Sequence, residues 1–167
     1  MGTLRIYEIN PDYIDYLNSF IPHLFRNKKP NQQNERKYIG IVLEVHNQNY
    51  FAPLSSFKTK HKFMPEGLDL IKIKHLAVIN LNNMFPAPQS QIVNFDIKTV
   101  LDQKYKALLQ REYRAITSME QKICENAEKL YQYKIKNGDF TPLAKRCNDF
   151  LLLEQKALEY TTEIGRS

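Results

Sequence analysis

Adjacent hydroxyls and a basic cluster stand together in one short segment, YFAPLSSFKTKHK, which contains no carboxylate. The hydroxyls belong to Ser55 and Ser56, and the bases that follow are Lys58, Lys60, His61 and Lys62. Such donors favour reactions with an anionic transition state, because they stabilise charge that builds on phosphoryl oxygens. The segment therefore fits cleavage of an RNA phosphodiester by its own 2′-hydroxyl, with a histidine or a lysine of lowered pKa moving protons.

A non-catalytic interpretation of the same segment competes with this one. Lysines in a loop keep the edge of a sheet soluble, and local composition by itself favours that interpretation. However, Phe57 and Phe63 flank the basic residues, and this composition also suits phosphate contact combined with base stacking.

Other chemistries fit the sequence poorly. It contains no G-x-S-x-G nucleophile motif, no phosphate-binding G-x-x-x-x-G-K loop and no carboxylate cluster in its basic half. The four histidines and two cysteines lack zinc-ligand spacing. Cys124 and Cys147 both fall in helical sequence and are interpreted as reduced thiols. We expect no metal and no cofactor.

The size of the chain predicts one domain, residues 1–167. Its charge is compatible with binding to a polyanion. The net charge is +6, and the segment through Lys74 holds eleven basic against seven acidic residues, compared with thirteen against eleven after it. Binding of RNA to the first half would therefore release the most counterions and gain the most free energy. No segment is apolar enough to span a bilayer or serve as a signal peptide, so we expect a cytoplasmic protein without membrane contact.

The first half of the chain predicts strands. A strand at Leu4–Ile9 precedes a short helix from Pro11, and the polar segment Ile21–Arg36 predicts a long mobile loop. Two strands then meet at a turn placed at Asn47-Gln48. Further strands start at Leu68, Ala77 and Gln91. Sequential short strands of this kind predict an antiparallel sheet that curls into a partial barrel.

The second half of the chain predicts helices, which gives an α+β fold with C-terminal helices. Apolar residues from Leu101 to Leu130 recur at helical spacing, and Thr117-Ser118 leaves one helix or two open. A further helix begins at Thr141-Pro142. Its predicted core stripe consists of Leu143, Cys147, Phe150, Leu151 and Leu158.

Two long segments resemble the type III toxin–antitoxin endoribonucleases, the ToxN and AbiQ group. They are RKYIGIVLEVHNQNYFAPLSSFKTKH, Arg36 to His61, and VINLNNMFPAP, Val78 to Pro88. The N-terminal IYEINPDYIDYL is also similar to theirs. The resemblance implies a strongly twisted antiparallel sheet related to the Kid and MazF toxins. It also implies a sequence-selective, metal-independent RNase that cuts mRNA to 2′,3′-cyclic phosphate ends.

The resemblance further implies an RNA partner. The antitoxin would be a small RNA pseudoknot, cut by the toxin from a repeated transcript and bound to it in a closed ring. The alternative function that we weigh against this enzyme is a non-catalytic RNA-binding module built on a small β-barrel.

Catalytic candidates follow from the resemblance by position. Ser56 matches the key serine of the family, Ser55 its hydroxyl neighbour, and Lys58 and His61 the basic and histidine positions beyond. Arg36 stands where the family has a catalytic lysine, with Lys37 adjacent. Arginine hardly acts as a base at neutral pH, so either Lys37 or His61 would move the proton. Neighbours on a strand face opposite sides, and we expect only one of Arg36 and Lys37 in the site.

RNA-binding candidates include basic and aromatic side chains. Tyrosines can stack on bases, although packing is an equal alternative for them. The candidates are Lys58, Lys60, Lys62, Lys28, Lys29, Tyr7, Tyr13 and Tyr38.

Overall fold

The structure, a computed structural model, describes residues 4–21 and 36–166. The predicted loop lies largely outside the described residues, and so do its Lys28 and Lys29. Within the described part of the chain, seven antiparallel strands form one open sheet. They are β1 (Arg5–Ile9), β2 (Lys37–Val45), β3 (Gln48–Ser56), β4 (Leu70–Ile73), β5 (Ala77–Asn80), β6 (Phe85–Pro86) and β7 (Ile92–Val93).

The sheet has the strand order β4-β5-β3-β2-β1-β7, with β6 paired to β3. Its two ends, β4 and β7, are not neighbours in that order, so the twisted sheet does not close into a barrel. The α+β prediction is confirmed. Three pairings join strands that are not consecutive in the chain: β1 with β7, β3 with β6, and β3 with β5, where the intervening β4 pairs with the other side of β5.

The β2–β3 hairpin is the longest pairing in the sheet, and the sequence misplaced its turn by one residue. The turn residues are His46 and Asn47, with φ of 53° and 62°, and Val45 pairs with Gln48. Positive φ at both central residues is the geometry of a two-residue turn whose twist matches the strands. The prediction of Asn47-Gln48 was wrong because Gln48 already pairs as a strand residue.

Five α-helices flank the sheet in the described part of the chain: α1 (Pro11–Asn18), α2 (Gln103–Ser118), α3 (Glu120–Asn137), α4 (Pro142–Arg146) and α5 (Phe150–Arg166). Asn10 caps α1 by accepting a 3.0 Å hydrogen bond from the backbone N–H of Asp12. The long periodic segment forms two helices that meet at Met119. Leu101 precedes α2 and is 92% exposed, so its predicted place in the core stripe was wrong.

The last predicted helix is also interrupted. Thr141 caps α4 as expected, with its hydroxyl accepting from the N–H of Ala144 at 3.1 Å. The helix ends before Asn148, whose N–H donates to the carbonyl of Asn82 at 2.8 Å, in the 3-10 turn Leu81–Asn83 that follows β5. The chain then restarts as α5 in a different register. Leu151 and Leu158 consequently lie on its exposed side, and the prediction that they join the core was wrong.

Helices cover both faces of the sheet. Tyr50, Ala52 and Leu54 pack with residues of α2 and α3 in one cluster, whereas Phe51 packs with residues of α1 and α5 in a second. This alternation along β3 is the period-two pattern of a strand buried on both faces. We call these the α3 face and the α5 face. The next residues along β3 are Ser55 and Ser56, and they are only partly covered.

Candidate active site

Arg36 and Ser55 meet on the α5 face. Lys37 pairs with Leu54, and one step along this register brings Arg36 opposite Ser55. The guanidinium Nη1 donates a 3.0 Å hydrogen bond to Ser55 Oγ. Directly opposed residues of paired strands share a face, so the hairpin register is what brings the two side chains together.

The sheet adds two residues to this site that the sequence did not predict, Asn80 and Lys72. The amide Nδ2 of Asn80 donates to Ser55 Oγ at 3.3 Å. Lys72 lies two strands away in the same cross-strand row, because Ser55 pairs with Val78 and Val78 with Lys72. Nothing in the sequence indicates that β5 skips β4 to pair with β3. We call Arg36, Ser55 and Asn80 the hydroxyl cluster.

The hydroxyl cluster determines what Ser55 can do. Arg36 and Asn80 both donate hydrogen bonds to Ser55 Oγ, which accepts them with its lone pairs. The hydroxyl hydrogen of Ser55 can then donate to a third partner. Burial lowers the pKa of Arg36 from its usual value, and nearby Tyr38 opposes that shift. Arginine starts so far above neutrality that the guanidinium stays charged. The cluster therefore presents one hydroxyl donor beside one fixed cation.

Ser56 ends β3 and is exposed. It pairs with Ala77, a residue of the core cluster on the α3 face. Because side chains alternate along a strand, Ser56 is directed to the side opposite Ser55. The two adjacent hydroxyls thus do not enter one face of the sheet together.

Lys37 belongs to the α3 face. Its ammonium lies 2.5 Å from Glu8 Oε2 and 4.5 Å from the ring centroid of Phe95, and the residue is 6% exposed. The strand alternation therefore assigns Arg36 rather than Lys37 to the face of Ser55. A one-residue shift that would bring Lys37 to the site does not occur in the structure.

His61 is buried beneath the loop it belongs to. Its Nδ1 accepts a 2.8 Å hydrogen bond from the backbone N–H of Lys58, and its ring contacts Phe57 with centroids 5.5 Å apart. Burial first, and then the charges of Lys60, Lys58 and Lys72, lower the pKa of His61 from its usual value. The neutral ring accepts at Nδ1 and so carries its proton on Nε2. This geometry suits an anchor of the loop and disfavours a general base.

The lysines beyond Ser56 surround a tight turn. Thr59–Lys62 form a single 3-10 turn, and Lys58, Lys60 and Lys62 are all exposed. We call residues Lys58–Phe63 the basic turn. Three exposed cations so close together form a suitable contact for phosphates.

The predicted tyrosines fall into two groups. Tyr13 and Tyr38 have 0% exposure, and the Tyr13 hydroxyl donates to the carbonyl of Pro86 at 2.6 Å. A ring without exposed surface offers no face to a base, so the stacking prediction was wrong for both in this structure. Tyr7 is half-buried, with its ring 5.5 Å from that of Phe51. It pairs with Tyr38 and so lies on the α5 face with the hydroxyl cluster.

The sequence profile of one family, described as "Toxin ToxN, type III toxin-antitoxin system", matches residues 5–158. The chain belongs to this family. Endoribonuclease ToxN of Pectobacterium atrosepticum is 29% identical over 168 residues, which cover 96% of this chain and 95% of that protein. The toxin described here is therefore an endoribonuclease of a type III system.

Two solved structures are similar in fold along almost the whole toxin. One is AbiQ, a lactococcal anti-phage endoribonuclease of a type III toxin–antitoxin system, with a TM-score of 0.84 and 27% identity over 96% of this chain and 99% of that chain. The other comes from a bacterial type III toxin–antitoxin system in which a non-coding RNA pseudoknot selectively inhibits the toxin. Its TM-score is 0.80, with 25% identity over 96% of this chain and 99% of that chain. None of the helices in the described ranges has the length and apolarity needed to cross a membrane.

Replacing Lys37 with methionine is expected to lower the stability of the toxin and leave the rate of RNA cleavage unchanged. The substitution removes the partner of Glu8, and loss of one partner of a largely buried hydrogen bond costs about 1–3 kcal/mol. Thermal unfolding and single-turnover cleavage measure the two effects separately. The double variant with Glu8→Gln is the control and should recover part of the stability. Lost cleavage with unchanged stability would instead put Lys37 in the active site.

Proposed function

We propose that the toxin cleaves single-stranded RNA without a metal ion and that the hydroxyl cluster binds the scissile phosphate. The observation that carries this proposal is the convergence of Arg36 Nη1 and Asn80 Nδ2 on Ser55 Oγ. The Ser55 O–H and the Arg36 guanidinium would both donate to the non-bridging phosphoryl oxygens. Such donors act where negative charge grows in the transition state.

The proposed reaction is a transesterification within the RNA. The 2′-oxygen forms a bond to the adjacent phosphorus and gives up its proton to water, and the bond from phosphorus to the 5′-oxygen breaks. The leaving 5′-oxygen takes up a proton from water. The products are a 2′,3′-cyclic phosphate and a 5′-hydroxyl. In this scheme Arg36 and Ser55 stabilise the charged phosphorane, and neither residue has to act as the base.

The proposed substrates are cellular mRNA, cut at a selected sequence, and the toxin's own repeated antitoxin transcript. We further propose that the processed RNA pseudoknot inhibits the toxin in a closed ring of alternating protein and RNA. The +6 charge of the chain and its similarity to a toxin inhibited by an RNA pseudoknot support an RNA partner. Because both RNAs are found there, the proposed place of action is the cytoplasm.

Serine substitutions test the proposal. Ser55→Ala is expected to reduce the rate of mRNA cleavage about 100- to 1,000-fold, as loss of one preorganised donor does, while RNA binding persists. Ser56→Ala tests the second hydroxyl, which the family resemblance makes the key one. Ser90→Ala, in the 3-10 turn Gln89–Gln91, is the matched control and should cleave like the wild type.

The assay uses purified toxin, a mixed-sequence mRNA and excess EDTA. Fragments should carry ends that resist phosphatase until an enzyme or acid opens the cyclic phosphate. Full activity of Ser55→Ala would overturn the assignment of the scissile phosphate to the hydroxyl cluster, and loss of activity in Ser56→Ala alone would move that role to Ser56. Loss of wild-type activity in EDTA, recovered by a divalent cation, would overturn metal independence.

A further inference from the structure

Phe63 is a large apolar side chain left 83% exposed at the end of the basic turn. Phenylalanine is among the residues most often buried, and the lysines Lys60 and Lys62 of the same turn are exposed as well. It takes no part in the hydroxyl cluster.

The backbone beneath Phe63 is held firmly. His61 and Lys58 exchange two hydrogen bonds, from His61 N to Lys58 O at 2.9 Å and from Lys58 N to His61 Nδ1 at 2.8 Å. The ring of Phe57 packs inside the turn against His61 and His75, with centroid distances of 5.5 and 5.3 Å. The N–H of Phe63 donates to Lys60 O at 3.3 Å. The inner side of the turn is thus packed, and the outer side presents Phe63 and the lysines.

The charge around Phe63 is positive because the nearby carboxylates already have cationic partners. Glu66, three residues on, lies 3.0 Å from the ammonium of Lys122 and also accepts from the N–H of Lys72 at 2.9 Å. Asp69 lies 2.6 Å from Arg146 Nε. The lysines of the basic turn therefore face solvent with little local neutralisation.

We propose that Phe63 is a base-stacking platform for an unpaired nucleotide of the bound RNA. Lys58, Lys60 and Lys62 would hold the phosphates that flank this nucleotide. A polyanion whose units carry flat aromatic faces matches both features, since stacking on an aromatic ring and phosphate contact with lysine together bind single strands. The basic turn begins two residues after Ser56, so the stacked nucleotide neighbours the cleavage site and contributes to its selection. This inference rests on the proposed function, because it takes RNA as the ligand.

The test compares Phe63→Ala with Phe140→Ala, a control at a second phenylalanine that is 95% exposed and lies between α3 and α4. The probe is a short 2′-O-methyl RNA, which cannot be cleaved, labelled with 2-aminopurine at successive positions. Phe63→Ala is expected to weaken binding about 5- to 100-fold, the range of one base–aromatic stack. It should also abolish quenching at one position and leave the salt dependence of binding unchanged. Phe140→Ala should change none of these.

Two further variants separate stacking from charge. Phe63→Trp should restore affinity and quenching, and Lys60→Gln should reduce the salt slope by about 0.7, the value of one lost phosphate contact on a single strand. Replacing the quenched nucleotide by an abasic one should cancel the effect of Phe63→Ala. Equal affinity and quenching in Phe63→Ala and wild type, in a toxin that cleaves mRNA, would overturn this inference alone. A wild-type toxin that neither binds the probe nor cleaves mRNA would overturn the proposed function with it.

Discussion

Arg36→Ala is expected to reduce the rate of RNA cleavage about 100- to 1,000-fold while RNA affinity falls far less. The guanidinium is the one cation that donates to Ser55 in the described part of the chain. Its removal takes away the proposed phosphate donor and one of the two groups that donate to Ser55 Oγ. We expect binding to persist because, in the proposed complex, phosphate contacts would be spread over the basic turn and other cations, each contributing a share of the counterion release.

Arg36→Lys refines this prediction. Lysine keeps the charge but loses the planar fork that can reach a phosphate and Ser55 at the same time. We therefore expect a cleavage rate between those of the wild type and Arg36→Ala. Single-turnover cleavage of a saturating mRNA fragment measures the chemical step, and fluorescence anisotropy measures affinity. Arg111→Ala, on the exposed side of α2, is the matched control.

Two results would contradict the assigned role of Arg36. Arg36→Ala that cleaves at the wild-type rate would remove it from the active site. Arg36→Ala that loses affinity but keeps the wild-type rate at saturating RNA would make it a binding residue, because a group that acts only in the transition state lowers the rate at saturating substrate. Thermal unfolding of each variant excludes a loss of folded protein as the cause.

Gly40→Ala is expected to destabilise the toxin by about 3 kcal/mol, the upper end for overpacking of a core. Gly40 pairs with Phe51 across the β2–β3 hairpin, and an added Cβ would lie 2.3 Å from both Cδ2 and Cε2 of that ring. Phe51 is fully buried and packs against Tyr7, so its ring has little space to move away. For a protein of this size the melting temperature should fall by about 6–12 °C.

Two variants serve as controls for Gly40→Ala. At Gly67 an added Cβ would meet only Asp69 Oδ1, at 3.3 Å, so Gly67→Ala should change stability little. Phe51→Leu combined with Gly40→Ala should recover part of the stability lost in Gly40→Ala, because the smaller side chain vacates the contact. A melting temperature of Gly40→Ala equal to that of the wild type would contradict the close packing of this hairpin.

The β2–β3 hairpin was predicted from local sequence in all but the exact position of its turn. Continuous β-branched residues indicated β2, and the break after His46 indicated a turn, although one residue late. The start of α1 at Pro11 and the cap of α4 at Thr141 were also predicted, because both depend on a few neighbouring residues. Local patterns did not reveal the stop after α4, since Asn148 leaves the helix for partners at Asn82 and Met84 far away in the chain.

The sequence by itself determined the family and its endoribonuclease activity, through segments that resemble ToxN and AbiQ, and it determined the α+β class because strand and helix periods are properties of neighbouring residues. Only the tertiary structure decided which groups meet. The register of β2 on β3 brings Arg36 rather than Lys37 to Ser55, and the pairing of β3 with β5 adds Asn80. Packing removed His61 and Tyr38 from the surface. Strand pairing and burial depend on contacts between distant segments, and no local pattern in the sequence encodes them.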